Sequence, residues 1–244
     1  MKNRSLYDVF YCNKKIQKKV ISDDNFTYQT LISLYDKYLK NRKRILDVGC
    51  GVGTIDFYLC KKGHELSGVD ISKNAINIAL KNSKLLGMDK KITFIRSDLS
   101  SITNIGLYDA VIALEVLEHI RKVDKVIKNL YKLCLNDAVV IASSPSKNAP
   151  LYRIGLLKKF DRNVGHLRRY SEMEYKRLFE NNGFEVVDLI KTEGVLRNFL
   201  YTNKCAQSLI RLIKGPLIPL VSIIDNMLVK LFGESNYYIV AFKK

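Results

Sequence analysis

Three carboxylates and a run of glycines are the residues whose types and spacing can do chemistry. Residues 45 to 53 read Ile-Leu-Asp-Val-Gly-Cys-Gly-Val-Gly. A short apolar strand runs into three alternate glycines, and a helix opens behind them. Glycine suits backbone that must turn sharply or approach a ligand closely. Such a turn lies at the carboxyl end of a strand, where open parallel sheets bind ligands. A dinucleotide fingerprint asks for GxGxxG. Here Gly49, Gly51 and Gly53 alternate, and Thr54 stands where its third glycine should fall. Asp47, just before the glycines, suits a cationic amino-acid ligand better than a pyrophosphate. Asp70 closes Gly-Val-Asp-Ile-Ser, about 20 residues beyond the loop, where a carboxylate can accept from both ribose hydroxyls. The plainer role of helix N-cap is already filled by Ser72. Asp98, in Ile-Arg-Ser-Asp-Leu, can accept from an adenine amino group or be an ordinary turn aspartate.

The elements that must position these groups follow from periodicity. Strands are predicted at 44–48, 65–70, 91–96, 108–114 and 138–143. Helices are predicted at about 54–62, 72–86 and 123–135, with Gly63 and Gly87 as stops. Strands alternating with helices imply βαβ units and a parallel sheet. Ser171 and Glu174 have capping-box spacing and open a helix to Asn182. Strands at 184–190 and 236–242 follow. Residues 1–43 read as a basic, mostly helical N-terminal cover, with near-helical apolar spacing from Asn25 to Lys40. Two insertions interrupt the alternation, at about 146–170 and 195–233; the first shows no clear periodicity.

These motifs resemble those of the class I SAM-dependent methyltransferases (SAM, S-adenosylmethionine). Asp47 to Gly53 is similar to the family's first motif, Asp70 to its ribose-binding acid and Asp98 to its adenine-binding one. Residues 108–120 end in Glu-Val-Leu-Glu-His-Ile, a version common in small-molecule and lipid O-methyltransferases, including the ubiquinone-biosynthesis group. The resemblance covers 44–145 well and 165–244 loosely. It implies an α/β, Rossmann-like sheet of seven strands, mostly parallel, with helices on both faces and the last strand antiparallel. Residues 44–244 would form the methyltransferase domain. Backbone around Gly49 to Gly51, Cys50 included, would hold the methionine part of SAM, and Asp70 the ribose; Asp47, Gly53 and Ile71 would also bind the cofactor. Ser97, Asp98 and Leu99 would hold the adenine, and Leu114 and Glu115 would face the sulfonium. The product would be S-adenosylhomocysteine (SAH). An acceptor hydroxyl calls for a general base. His119, past the fourth strand, and His166, in a Gly-His-x-Arg-x-Tyr run, are the candidates; the alternatives are a packed helix-start residue and a loop anchor. No Asn/Asp-Pro-Pro-Tyr motif follows the fourth strand, which disfavours enzymes that methylate a flipped base.

Composition bounds the rest. The chain has 244 residues and a formal charge of +17. That charge suits nucleic acid, an anionic membrane surface, an acidic substrate or simply a solvated surface. Five cysteines without a CxxC pair, and three histidines, argue against a zinc site or a disulfide framework. A reducing cytoplasm fits, and no signal peptide or membrane span is expected. Leu217, Leu220, Val221, Ile224, Leu228 and Leu231 form a helical stripe, widened by Ile218, Ile223 and Met227. That stripe can serve as extra core, as a lid or dimer surface, or as an interfacial helix on a membrane. The reading is methyl transfer from SAM to a small-molecule, lipid-linked or glycan-like acceptor at oxygen, with no metal, in the cytoplasm or peripheral on the membrane's inner face. An RNA methyltransferase, and a SAM-binding or membrane-docking protein without catalysis, are the alternatives.

Overall fold

The computed structural model describes residues 2–11, 17–203, 205–210, 213, 215 and 217–244. Cys12, Arg211, Leu212, Lys214 and Pro216 lie outside them. The seven strands are β1 (Arg44–Val48), β2 (Glu65–Asp70), β3 (Ile92–Arg96), β4 (Tyr108–Leu114), β5 (Cys134–Pro145), β6 (Phe184–Thr192) and β7 (Asn236–Lys243). They form one sheet in the order β3-β2-β1-β4-β5-β7-β6. β1 to β5 are mutually parallel, and β7 runs antiparallel to both β5 and β6. The expected antiparallel last strand is therefore inserted between its neighbours, and β6 takes the edge.

Period-two alternation divides each inner strand between two cores. Val111, Ala113, Val140 and Ala142 face one side, with α5 (Val123–Leu133) and α8 (Glu172–Glu180) packed on it. Ala110, Ile112, Val139 and Ile141 face the other, covered by α3 (Thr54–Lys61), α4 (Lys73–Leu85) and residues of α2 (Gln29–Leu34). In α5 the buried Val123, Val126, Ile127, Leu130 and Leu133 recur at helical spacing, so one stripe seals against the sheet. Ser72 caps α4 as its position predicts, its hydroxyl accepting from Ala75 N–H, and α8 carries the full Ser171–Glu174 capping box.

Three expectations change. The helix expected to reach Leu135 stops at Leu133, and β5 starts at Cys134, four residues early. Tyr108 pairs with Cys134 and Ala110 with Val139, so the register shifts; Asp137, with φ of 59°, sits inside the shifted stretch. The helix expected from Asn25 to Lys40 is α2 followed by a π-helical turn, Tyr35–Leu39. The first insertion, expected without periodicity, holds the short helices α6 (Pro150–Arg153) and α7 (Lys158–Val164). The second holds α9 (Val195–Thr202), α10 (Gln207–Ile210) and α11 (Leu217–Phe232). The N-terminal segment carries α1 (Lys2–Tyr11). Among the described residues no helix is long and apolar enough to cross a membrane.

Candidate active site

A cavity of about 980 Å³ opens over the carboxyl ends of β1, β2 and β4. Gly49, Asp70, Ile71, Asp98, Leu99 and Glu115 line it, as does His119. Tyr7, Phe10 and Tyr11 of α1 close it, so the N-terminal cover is part of the wall. Gly49 has φ of +77°, and a Cβ there would lie 2.7 Å from Val116 Cγ2. Gly51 has φ of +55°, and a Cβ would meet the Tyr11 hydroxyl at 2.7 Å. Only glycine meets both demands. The Asp70 carboxylate joins the elements: Gly51 N–H donates to it at 3.0 Å and Ser72 N–H at 2.8 Å. Burial raises the Asp70 pKa, and those N–H donors offset part of the rise. α1 is strapped on by Asp8, which accepts from the Ser72 hydroxyl at 2.7 Å.

Two of the expected cofactor residues line neither this cavity nor the one beside it. Gly53 sits under the turn, where a Cβ would strike Phe94 at 2.7 Å and Phe57 at 2.9 Å; its small size serves packing. Ser97 N–H donates to the Asp70 carbonyl at 3.1 Å, tying the end of β3 to β2.

The second cavity, about 510 Å³, lies toward β5, β7 and β6. Asp47, Cys50 and Leu114 line it, and Gly49, Gly51 and Glu115 belong to it as well. His166, Glu193, Asn198, Tyr201 and Asn236 complete its far wall. Burial pushes the Asp47 carboxyl up to about 7. Asp56, fully buried in α3, is pushed well above the ordinary range by burial and by the Asp47 charge. Burial also pushes the Cys50 thiol well up, which suppresses its thiolate. Glu115 adopts φ of 52°, an uncommon conformation for a residue with a Cβ. It is held there by Ser143 and Asn236, whose Oγ–H and Nδ2–H donate to its Oε1 at 2.7 and 2.9 Å. Burial, then the Glu115 charge, pushes the Glu193 carboxyl up to about 8. Asn198 Oδ1, Ser235 Oγ and Asn236 Oδ1 are buried without hydrogen-bond partners. All three can accept, so this wall suits a molecule that donates hydrogen bonds.

The two candidate histidines meet where the cavities join, with ring centroids 4.9 Å apart. His166 Nδ1 lies 3.0 Å from Asp161 Oδ1. Arg169 grips the same carboxylate with two N–H donors, at 2.7 and 2.9 Å. Burial pushes the Asp161 carboxyl up, but the bonds from His166 and Arg169 outweigh it and hold the pKa below the usual range. An ionised carboxylate only accepts, so the proton of neutral His166 sits on Nδ1 and the lone pair on Nε2. His119 Nδ1 faces the Gly165 carbonyl at 3.1 Å, and burial lowers its pKa to about 4. Between the rings stands Glu118, fully buried. Its Oε2 accepts from Ser144 at 2.9 Å, while Oε1 has no hydrogen-bond partner and lies 3.6 and 3.8 Å from the two Nε2 atoms. Burial, then Glu115, pushes its pKa well up. One ligand atom from each of Glu118, His119 and His166 lies within 4.8 Å of the others, a spacing compatible with a metal ion. The residue count that argued against zinc does not reach this cluster, because it needs no cysteine.

Sequence reasoning did not single out Glu118, Asp161, Glu193, Asn198 or Asn236 as site residues. Glu118 carried a signal, since it stands inside the Glu-Val-Leu-Glu-His run. The others come from separate insertions and strand ends, and only the fold brings them together.

Comparison with known proteins places this geometry. The family model described as a methyltransferase domain matches residues 24–189. A ubiquinone biosynthesis O-methyltransferase of Rickettsia conorii is 32% identical over 117 residues, 48% of this chain and 40% of that protein. Its counterpart in Rickettsia bellii is 31% identical over 152 residues, 59% of this chain and 62% of that protein. The chain thus spans less than two thirds of the length of either relative. Among solved structures, the Synechocystis magnesium protoporphyrin IX methyltransferase with bound SAH superposes with a TM-score of 0.62 at 20% identity, covering 100% of this chain and 95% of that one. The SpnF cyclase superposes with a TM-score of 0.69 at 16% identity, covering 99% and 95%. These likenesses establish the fold, and with the glycine turn, Asp70 and the matched domain they show that the chain belongs to the methyltransferase-domain family of class I SAM-dependent methyltransferases.

Proposed function

We propose that the protein methylates a hydroxyl oxygen of a small, hydrophobic or lipid-linked acceptor, using SAM as donor. The residues present fit SAM. Gly49 and Gly51 leave a cradle that any Cβ would fill, and Asp70 and Asp98 stand at the larger cavity as acceptors. Asp47 and Glu115 supply carboxyls for the amino-acid end. When bound, SAM supplies a methyl group on a cationic sulfur. The chain's own task is then to hold the acceptor and take its proton.

The observation that carries the reading is the Arg169–Asp161–His166 arrangement on the acceptor wall. Asp161 fixes the ring and leaves Nε2 to receive the hydroxyl proton, and its charge stabilises the imidazolium that results. Glu193, Asn198 and Asn236 accept from other donors on the molecule. The names of the Rickettsia relatives, which are O-methyltransferases, support the same chemistry.

The test is transfer of labelled methyl from SAM into lipid, small-molecule and RNA fractions of cells. Label in lipid or small molecules, lost about 100-fold or more in His166→Gln at unchanged SAH affinity, is the expected result. Label confined to RNA, or full activity in His166→Gln, refutes it. A second reading is favoured by the partnerless Glu118 Oε1: a divalent cation on Glu118, His119 and His166 would hold the acceptor oxygen. Activity abolished by EDTA and restored by one divalent ion selects that reading.

A further inference from the structure

We infer that the outer face of α11 docks the protein on an anionic lipid bilayer. This goes beyond the acceptor reading and does not depend on it. The helix is apolar on both sides, so only part of its apolar surface is buried. Inward, Ile218 packs with Phe26, Leu200 and Ala206, beside polar contacts: Asp225 accepts N–H bonds from Gly194 and Arg197 at 2.8 and 3.0 Å, and Arg197 Nη2 donates to Ser222 Oγ at 2.8 Å. Its outward side carries Leu220, Ile223, Met227 and Leu231, which are 53%, 59%, 60% and 72% exposed. A folded chain gains nothing by turning such a stripe to water, and exposed apolar patches of this kind mark interaction surfaces. The patch has a neighbour. Arg153 Nη1 donates to the Phe232 carbonyl at 3.3 Å, fixing α6 to the end of α11. Ile154 and Leu156, next along the chain, are 69% and 66% exposed.

Charge selects the occupant. Residues 146–164 and 195–233 contain ten lysines and arginines but only two acids, Asp161 and Asp225. Both acids are spent inside the fold, Asp161 on Arg169 and Asp225 on Arg197. Arg153, Lys158, Lys159 and Lys230 remain exposed. Apolar side chains among unopposed cations match acyl chains beneath anionic headgroups. A second copy of this chain fits worse, because each carries +17. α9 packs against α11 and places Asn198 and Tyr201 on the acceptor wall. Docking would therefore bring that wall to the membrane.

The experiment is co-sedimentation of the full chain with vesicles of phosphatidylcholine containing about a third phosphatidylglycerol, beside pure phosphatidylcholine. The variant Ile223→Asn/Met227→Asn changes two exposed side chains, and unchanged SAH affinity shows that it is folded. Expected is binding to the anionic vesicles only, weakened at least tenfold in the variant and by 0.5 M salt. Failure to bind anionic vesicles, or equal binding by the variant, overturns the inference. So does light scattering that shows a dimer dissolved by the same substitutions, which would assign the face to a second copy.

Discussion

Asp70→Ala should abolish most affinity for SAH, and the loss can be worked from the structure. The carboxylate is buried at the edge of the larger cavity, where both oxygens accept from backbone N–H groups of Gly51 and Ser72. A ribose diol would add two further donors. Hydrogen bonds to a charged group contribute about 1.5–3 kcal/mol each. Losing two at the low end costs about 3 kcal/mol, roughly two decades in Kd. A second effect acts on the free protein. Without the carboxylate, the Gly51 N–H loses its partner in a buried turn, at a cost of about 1–3 kcal/mol of stability. Titration calorimetry with SAH measures the first effect, and thermal unfolding without ligand the second. Asp70→Asn separates them, since its amide oxygen can still accept from Gly51 while the charge is gone. Because burial raises the Asp70 pKa, wild-type affinity should also begin to fall on acidification above the pH at which an exposed aspartate titrates. An Asp70→Ala protein that is folded and binds SAH within threefold of wild type would refute the assignment of Asp70 and, with it, the cofactor pose.

Gly49→Ala forces a Cβ into the left-handed region and to within 2.7 Å of Val116 Cγ2; it should lose about 2–4 kcal/mol of stability by denaturant titration, with partial rescue by Val116→Ala. The Asp47–Asp56 pair makes the ligand-free protein less stable as pH rises. Both folded-state pKa values lie above the unfolded ones, Asp47 at about 7, so the folded chain binds more protons from about pH 4 upward. Asp56→Asn should flatten the fall in unfolding free energy between about pH 5 and 7, and an unchanged slope would mean that the Asp56 carboxyl is not held above its unfolded pKa. Asn236→Ala removes a donor from Glu115 Oε1 in the wall shared by both cavities; KM for the acceptor should rise about tenfold or more and SAH affinity should fall with it, and an unchanged SAH affinity would detach Glu115 from the cofactor end.

The candidate cofactor side of the cleft was legible as a cluster because its groups are local in sequence. Asp47, Gly49 and Gly51 lie within one turn, and Asp70 follows at the end of the next strand. For Gly53 the fold adds what spacing does not show: a Cβ there would meet Phe57 and Phe94. The proposed acceptor side was not legible. Glu193 follows β6, Asn198 lies on α9, Asn236 begins β7 and His166 follows α7. No spacing rule links them, since the sheet order sets their proximity. The helix boundary at Leu133 failed for a different reason. Leu133-Cys134-Leu135 is apolar enough to extend a helix or open a strand, and pairing with Tyr108 decides for the strand. The α11 stripe was visible as a stripe, but its direction was not. Inward, Ile218 packs with Phe26, Leu200 and Ala206 beside the Arg197 contacts to Ser222 and Asp225, and Leu220, Ile223, Met227 and Leu231 are left outward.

The same contrast explains how one fold serves different reactions. The SpnF cyclase and the Synechocystis methyltransferase superpose on nearly the whole of this chain, so superposition does not select the chemistry. In this chain the side chains lining the cavity on the β5-β7-β6 side come largely from the two insertions. Glu115 joins the halves. It lines both cavities, is held in an uncommon backbone conformation, and receives hydrogen bonds from β5 and β7. An acceptor that displaced Asn236 would release Glu115, whose charge also bears on Glu118 and Glu193. Binding on one side can thereby alter proton affinity at Glu118 and Glu193, through contacts already in place before either ligand arrives.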